Sequence, residues 1–221
     1  MLRQVFWFAA LATCALPLPA TAAPDRFGHC TLPAGYYRVA PSAEAVDLHL
    51  RSDPRLESQV IGNLQHSDIV FSDGSREIGD DVTWQRVKFP LGEVWARARS
   101  LWRTLPLTLD RSAIPVAGRC SDYDPLWSLS WHGRELQLWL FPGKFEMHAA
   151  DVIDGAKPGT ALMNADAADA SMTFIYTDGL CTDPQGNALG WGVANVIIRD
   201  GRGERLYSGC CETAPEAFVK R

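Results

Sequence analysis

Apolar and polar residues alternate over short stretches along most of the chain, and turn residues separate these stretches. In residues 46–50 the apolar side chains Val46, Leu48 and Leu50 fall on one face of an extended segment, and Asp53-Pro54 ends it. Trp127, Leu129 and Trp131 show the same two-residue period further along. The remaining strand-like stretches are residues 60–64, 69–71, 83–88, 94–96, 135–141, 145–148, 161–163, 172–176, 192–198 and 205–207.

Glycine-containing turn signals follow one another at hairpin spacing in the second half of the chain. They are His132-Gly133, Asp154-Gly155, Asp178-Gly179, Gln185-Gly-Asn187 and Asp200-Gly201. Residues 166–170 hint at a helical turn, but the stretch is too short for a stable helix. Short strands between regular turns predict an all-β protein built from small barrels or sandwiches.

Three segments of the first half occur in the order typical of one family of small barrels. Residues 46–64 hold an alternating strand, an Arg-Ser-x-Pro turn and a Val-Ile-Gly-x-Leu strand. Thr-Trp-Gln-Arg-Val-Lys at 83–88 and Glu-Val-Trp-Ala-Arg-Ala-Arg-Ser-Leu at 93–101 follow. Together they resemble a bacterial SH3 (SH3b) domain over residues 37–102. The resemblance implies a small β-barrel that binds, often to cell-wall material, and does not catalyse.

A second set of motifs lies between residues 122 and 211. Asp124-Pro-Leu-Trp-Ser-Leu129 fits a P-x-W-S strand, and Cys181-Thr-Asp183, Gly190-Trp-Gly-Val193 and Tyr207-Ser-Gly-Cys-Cys211 fit a closing C-x-D … G-C segment. This half resembles a poorly characterised family of exported bacterial proteins with a β-rich domain. The family has no established reaction, so the resemblance implies a fold and no activity.

The two segments are separated by residues 105–118, which contain Pro106, Pro115 and Gly118 among small residues and favour a linker, either free or packed in places. We therefore predict an SH3-like small barrel at 31–104, a linker at 105–120, a second β-barrel or β-sandwich at 121–212 and a tail at 213–221, with disulfides stabilising the whole. The first domain should fold around Leu48, Leu50, Val60, Ile61, Leu64, Val87 and Trp95.

The N-terminus has the features of a secretory signal peptide at 1–22. Arg3 precedes the apolar residues 5–16, and Ala20-Thr-Ala22 is an A-x-A cleavage site. No later apolar run reaches spanning length, which predicts a periplasmic or secreted protein without an integral membrane segment after signal removal. An uncleaved anchor, or a lipoprotein attached at Cys14, are the alternatives. Cleavage removes Arg3, so the formal charge of −5 becomes −6, and no clustered basic surface suggests a nucleic-acid partner.

Five of the six cysteines follow the predicted cleavage site: Cys30, Cys120, Cys181, Cys210 and Cys211. Export makes disulfides available. Cys30 and Cys120 bracket the SH3-like segment, so we predict that they form a bridge that clasps its two ends.

Cys181 then pairs with Cys210 or Cys211, which alternate to opposite faces of a strand. If Leu206 faces the core, Cys210 does too, and we predict the bridge Cys181–Cys210 with one thiol left over. A bulge at Gly209 would reverse the choice.

Catalytic patterns are missing from the sequence. The five histidines, His29, His49, His66, His132 and His148, are far apart in the chain and none has a metal-binding spacing. Gly-x-Ser-x-Gly and calcium-loop patterns are also missing. His148 with Glu146 on the same face is most simply a surface pair. We expect a protein that is not an enzyme, with no catalytic residue, no metal and no cofactor.

Aromatic and arginine side chains gather towards the end of the SH3-like segment. Tryptophan offers a stiff contact surface, and arginine can hold a carboxylate with two hydrogen bonds. Arg97 and Arg99 alternate on one face of the last strand, with Arg103 close by. The candidate ligand-binding residues are therefore Trp84, Trp95, Arg97, Arg99 and Arg103. The alternative is that the tryptophans pack in the core and the arginines are a solvated surface.

These observations predict an exported, non-catalytic cell-envelope binding protein. Its SH3-like module would contact peptidoglycan peptides, and its partners would be cell-wall peptides or an envelope protein. Trp127, Trp131, Trp139 and Trp191 of the second domain would either line a ligand cavity or fill a core. The alternative function is inhibition of a lysozyme-type cell-wall hydrolase, or a role as an envelope stress protein.

Overall fold

The computed structural model describes residues 34–40, 47–66, 68–89, 92–122 and 126–218. Nearly every element in this part of the chain is a strand, which confirms the all-β prediction. The predicted signal peptide and Cys30 lie outside the described residues. None of the described helices is long and apolar enough to cross a membrane.

In the described residues, the N-terminal half has eight strands in two sheets. They are β1 (Gly35–Val39), β2 (Asp47–Arg51), β3 (Val60–Gln65), β4 (Ile69–Ser72), β5 (Arg76–Gly79), β6 (Val82–Phe89), β7 (Gly92–Arg97) and β8 (Leu101–Arg103). One sheet has the order β3-β2-β7-β6-β5, and the other has the order β4-β1-β8. A single 3-10 turn, Ala98–Ser100, carries the chain from the first sheet to the second.

The inward faces of these two sheets share one apolar cluster. Its buried members are Tyr37, Val39, Leu48, Leu50, Leu64, Val70, Val87, Val94, Ala96 and Leu101, with Ile61 partly buried against them. Five of the seven predicted core residues therefore contribute to the core. Val60 and Trp95 do not: Val60 is 44% exposed, and Trp95 is half-buried on the outer face.

The error at Val60 comes from a shift in strand register. Leu50 lies opposite Gly62, whereas the next residue, Arg51, lies opposite Val60. Ile61 is the extra residue of a bulge, and a bulge of one residue exchanges the inward and outward positions of the strand. The prediction took residues 60–64 as one short apolar run and placed both Val60 and Ile61 in the core, so it carried no information about the register.

The C-terminal half is a closed barrel of eight antiparallel strands, which selects the barrel over the sandwich. The strands are β9 (Ala117–Ser121), β10 (Trp127–His132), β11 (Glu135–Leu140), β12 (Gly143–Asp154), β13 (Thr160–Asp166), β14 (Ala170–Thr182), β15 (Ala188–Asp200) and β16 (Gly203–Thr213). Each strand from β10 to β16 pairs with the next, and β16 pairs with β9 to close the barrel.

Side chains fill the interior of this barrel. Leu129, Leu138, Met163 and Phe174 have no exposed surface, and Trp127 and Trp131 are buried among them. Trp139 is 37% exposed and Trp191 packs against a different cluster. The four tryptophans therefore do not line a common cavity, and two of them form the core of a small barrel instead.

The predicted linker at 105–120 is wrong over most of its length. Leu109 and Ile114 are buried in the barrel core, and Ala117–Ser121 is strand β9. The predicted tail at 213–221 is also wrong, because Pro215–Phe218 forms a 3-10 turn whose Ala217 and Phe218 are buried. Both segments carry isolated apolar side chains that show no periodicity, so the sequence pattern did not indicate which of them are buried.

These two segments join the halves of the molecule through an apolar cluster of Tyr36, Phe71, Ala117, Ala217 and Phe218. Polar contacts surround it. The Thr213 N–H donates to the Tyr36 hydroxyl at 2.7 Å, and the Arg38 guanidinium donates to the Phe218 carbonyl at 3.2 Å. The described residues of the two halves consequently belong to one compact unit.

The barrel contains two disulfides. Cys181 bonds Cys210, as predicted, with a Cα–Cα distance of 5.5 Å. The reasoning behind that choice is wrong, because Leu206 is 64% exposed and faces outward. The predicted Cys30–Cys120 bridge is wrong: Cys120 bonds Cys211, which lies directly opposite it on the neighbouring strand. Neither bridge clasps the N-terminal half.

Candidate functional site

The outer face of the five-stranded sheet places a half-exposed tryptophan between two arginines. Trp95 on β7 lies opposite Arg86 on β6 and opposite Arg51 on β2. Residues directly opposite each other in antiparallel strands project from the same face of the sheet. The tryptophan ring thus lies in a row of alternating aromatic and cationic side chains.

Arg97 belongs to the same face, because it follows Trp95 by two residues on β7. Its side chain is half-buried. Within the described parts of the chain it has no hydrogen bond or ion pair. A guanidinium group that is partly removed from water without a counter-ion is an energetically favourable site for an incoming carboxylate.

Trp84 is opposite Arg97 and therefore projects from this same face of the sheet. It is fully buried, and its indole N–H donates to the Gly79 carbonyl at 3.1 Å. The turn after β2 folds over it: the Leu56 N–H donates to the Asp80 carboxylate at 2.6 Å. A side chain with no exposed surface cannot touch a ligand, so the prediction that Trp84 contacts one is wrong.

The two arginines that flank Trp95 are already held by other groups. Arg86 pairs with Asp73 and, at 2.9 Å, with Glu93. The Arg51 guanidinium donates to the Ser58 carbonyl at 2.6 Å. These contacts fix both side chains beside the tryptophan and leave Arg97 as the cation of this face that has no partner among the described residues.

The pair Arg86–Asp73 also changes the pKa of the carboxylate. Burial by itself raises the pKa of Asp73. Hydrogen bonds from Arg86 and from the Ser75 N–H and hydroxyl lower it by a larger amount, so the net shift is downward. Asp73 is therefore ionised at neutral pH and keeps Arg86 in place.

Arg99 and Arg103 do not join this face. The strand ends at Arg97, and Arg99 lies exposed in the 3-10 turn Ala98–Ser100, where two-residue alternation no longer applies. Arg103 is on β8 in the other sheet, opposite Tyr37. The prediction of a single Arg97, Arg99 and Arg103 surface is wrong for this reason.

The remaining polar candidates form surface pairs. His49 points outward and is 2.6 Å from the Asn63 side chain. His148 is 2.8 Å from Glu135 across the β11–β12 pair, whereas Glu146 pairs with Lys144. In the parts of the chain that are described, no three His, Cys, Asp or Glu side chains are grouped so as to hold a metal ion.

The sequence missed Arg51 and Arg86 as members of the face. Arg86 follows Trp84 with the correct period, but its neighbour across the sheet depends on strand order. Arg51 is the first residue of the Arg-Ser-x-Pro turn, and only the pairing of β2 with β7 brings it to Trp95. Comparison with known proteins found no match: no protein-family model fits this chain, and no curated protein and no solved structure is significantly similar to it.

Proposed function

We propose that this protein is an exported, non-catalytic cell-envelope binding protein whose N-terminal half binds carboxylate-bearing peptides of peptidoglycan. The observation that carries the proposal is the arrangement of Trp95 and Arg97. A half-buried guanidinium without a partner among the described residues lies beside a half-exposed aromatic ring on one sheet face.

The chemistry of the face fits such a peptide. The planar guanidinium of Arg97 can hold a carboxylate with two parallel hydrogen bonds. The ring of Trp95 offers a flat apolar surface for small side chains such as those of peptidoglycan stem peptides. The carboxylates of Asp73 and Glu93, which pair with Arg86 on this face, repel a highly charged anion because like charges repel each other.

The proposed location is the periplasm or the extracellular space. Two disulfides persist in oxidising compartments and are rare in reducing ones. The sequence features of residues 1–22 support the same conclusion. The SH3b-like motifs add a third argument, since that family often binds cell-wall material.

A sacculus pull-down with chain 23–221 tests the proposal. Wild-type protein should be retained on purified sacculi, and retention should fall as salt rises because the contact is charge-assisted. Arg97→Ala should lose most of it, since hydrogen bonds to charged groups contribute roughly 1.5–3 kcal/mol. Arg99→Ala is the matched control, because Arg99 is an exposed arginine two residues away that does not belong to the face, and it should bind like wild type.

Equal retention of wild type and Arg97→Ala would refute the role of this face, and no retention of wild type at low salt would refute sacculus binding altogether. A turbidity assay with lysozyme distinguishes the proposed function from the alternative, which is inhibition of a cell-wall hydrolase. Inhibition of the hydrolase by protein that does not bind sacculi would replace the proposed function with that of an inhibitor.

A further inference from the structure

An open groove lies along β9, the strand that closes the barrel. Its volume is about 640 Å³, which is within the range of sites for small ligands. Ala117 and Gly118, two small buried residues of β9, lie at its floor. Strand β10 lines one side of it, and the end of β16 with the start of the C-terminal turn Pro215–Phe218 lines the other. The groove belongs to the C-terminal half and shares no residue with the Trp95–Arg97 face.

Arg119 is the cation of this groove. Its side chain points outward from β9, because the next residue, Cys120, is buried in the barrel core. The strand register places Ser130 opposite Arg119 on one side and Glu212 opposite it on the other. Arg119 is exposed, and in the part of the chain that the structure describes it forms no hydrogen bond or ion pair. Its guanidinium is therefore available to hold a carboxylate with two hydrogen bonds.

The carboxylate opposite Arg119 is held by a different cation. Lys88 of the N-terminal half donates to the Glu212 carboxylate at 2.6 Å and to the Leu189 carbonyl at 2.7 Å. Oppositely charged residues that face each other across an antiparallel pair normally attract each other. Because Lys88 neutralises Glu212 here, the positive charge of Arg119 remains unbalanced on the groove.

Glu216, in the C-terminal turn, is the unpaired acid of the groove. It is exposed, and no cation within the described segments pairs with it. This turn starts beside β9, since the Ala214 N–H donates to the Ala117 carbonyl at 3.1 Å. Ala117 precedes Arg119 by two residues, which is about 7 Å along an extended strand. The groove therefore presents a cation and an anion with a spacing on the order of two extended residues.

We infer that this groove binds a short peptide with free termini, whose carboxylate contacts Arg119 and whose ammonium group contacts Glu216. A ligand with negative charge alone would meet the carboxylates of Glu212 and Glu216, and a ligand with positive charge alone would meet Arg119. A zwitterion is complementary to both ends. The small floor residues leave room for side chains such as that of alanine. The inference goes beyond the proposed function, because it gives the barrel a ligand of its own.

Titration of isotopically labelled chain 23–221 with the dipeptide Ala-Ala, followed by NMR, tests the groove. We expect saturable shifts of the backbone amides of residues 117–119, 130–132 and 212–214, which line it. Two blocked forms of the dipeptide separate the charges: the C-terminal amide lacks the carboxylate, and the N-acetyl form lacks the ammonium group. Each should bind roughly tenfold more weakly than Ala-Ala, because one charge-assisted contact is lost.

Two variants show which side chain contacts which terminus. Arg119→Gln should bind Ala-Ala roughly tenfold more weakly and should no longer distinguish it from its amide. Glu216→Gln should no longer distinguish Ala-Ala from its N-acetyl form. Both positions are exposed, so both variants should fold. Arg202→Gln changes an exposed arginine just before the other end of β16, and this control should bind like wild type.

The inference is overturned if Ala-Ala produces no saturable shifts in the groove, or if both blocked forms bind as tightly as Ala-Ala. It is also overturned if Arg119→Gln keeps the full affinity, or if the neutral disaccharide maltose binds the groove and Ala-Ala does not. None of these results bears on sacculus retention, because that depends on Arg97 in the other half of the molecule.

Discussion

Cys210 and Cys211 are consecutive in the chain, yet their disulfides lie on opposite faces of strand β16. Cys211 faces the interior, is 1% exposed and bonds Cys120 on the adjacent strand. Cys210 is half-buried on the outer side and bonds Cys181 at the end of β14, so that this bridge crosses the intervening strand β15. The two bridges therefore hold the closing strand from inside and outside.

This arrangement predicts the order in which the two disulfides are reduced. A mild thiol should open Cys181–Cys210 first, because thiol attack needs access to a sulfur and both sulfurs of Cys120–Cys211 are buried. Peptide mapping with alkylation during a reduction time course is the measurement. Simultaneous loss of both bridges, or earlier loss of Cys120–Cys211, would show that exposure does not control the order.

The long disulfide should contribute more to stability than the short one. Its cysteines are 91 residues apart, against 29 for the other, and the chain-entropy model gives about 4.6 and about 3.6 kcal/mol for loops of these lengths. Urea unfolding of the paired Cys→Ala variants, each lacking one bridge, measures both. A larger loss for the Cys181–Cys210 variant would contradict the entropic account.

A buried leucine and an exposed valine in neighbouring strands test the register of β2 and β3. Leu50 has no exposed surface, so Leu50→Ala should lower the free energy of unfolding by about 2–5 kcal/mol. Val60, which a continuous strand would have buried, is 44% exposed, and Val60→Ala should cost about 0.5 kcal/mol or less. Denaturant melting gives both values; similar losses for the two variants would mean that no bulge separates them.

Phe218 should contribute as much to the stability of the fold as a core residue, although it lies near the C-terminus. Its ring is 7% exposed and meets the Tyr36 ring edge-on, with 5.1 Å between the centroids. Phe218→Ala should cost about 3–5 kcal/mol, because it leaves a cavity between the two halves of the molecule. Leu206→Ala, at a 64% exposed position on the barrel, is the control and should cost little. A small effect of Phe218→Ala in thermal unfolding would mean that the C-terminal turn does not join the halves.

The Asp73–Arg86 pair should make stability depend on acid pH. The pKa of Asp73 is lower in the folded protein than its usual value of 3.8, so the folded state favours the ionised carboxylate. The contribution is therefore fully present above that usual value and is lost as the pH falls through the lower, folded-state pKa.

Urea midpoints of wild type and Asp73→Asn, measured from neutral pH down to about pH 2, test this. The difference between the two proteins should be constant near neutrality and shrink in acid. In an Arg86→Gln background the same difference should be smaller at every pH, because the principal partner is gone. A difference that grows as the pH falls would mean that folding raises the pKa of Asp73 instead of lowering it.

The candidate ligand-binding face shows how far two-residue alternation in the sequence predicts which side chains share a face. The sequence listed Trp95 and Arg97 as separate candidates, and the two share a face because both lie on strand β7. Two-residue alternation was applied to Arg97 and Arg99, and it failed there because the 3-10 turn Ala98–Ser100 ends the strand. The sequence carries no signal for that turn: neither glycine nor proline is present at its start.

The sequence by itself determined the all-β class, limited the second half to a barrel or a sandwich, and indicated that only one of Cys210 and Cys211 pairs with Cys181. Each follows from chain-local physics: the pleat has a period of two, turn residues adopt special backbone angles, and neighbouring cysteines point to opposite faces. The tertiary structure decided that Cys210 is the one that bonds Cys181. Tertiary structure alone decided which strands are neighbours. Strand order set Arg51 beside Trp95, Cys120 opposite Cys211 and Phe218 against Tyr36, because these contacts join residues far apart in the chain, where no local period relates them.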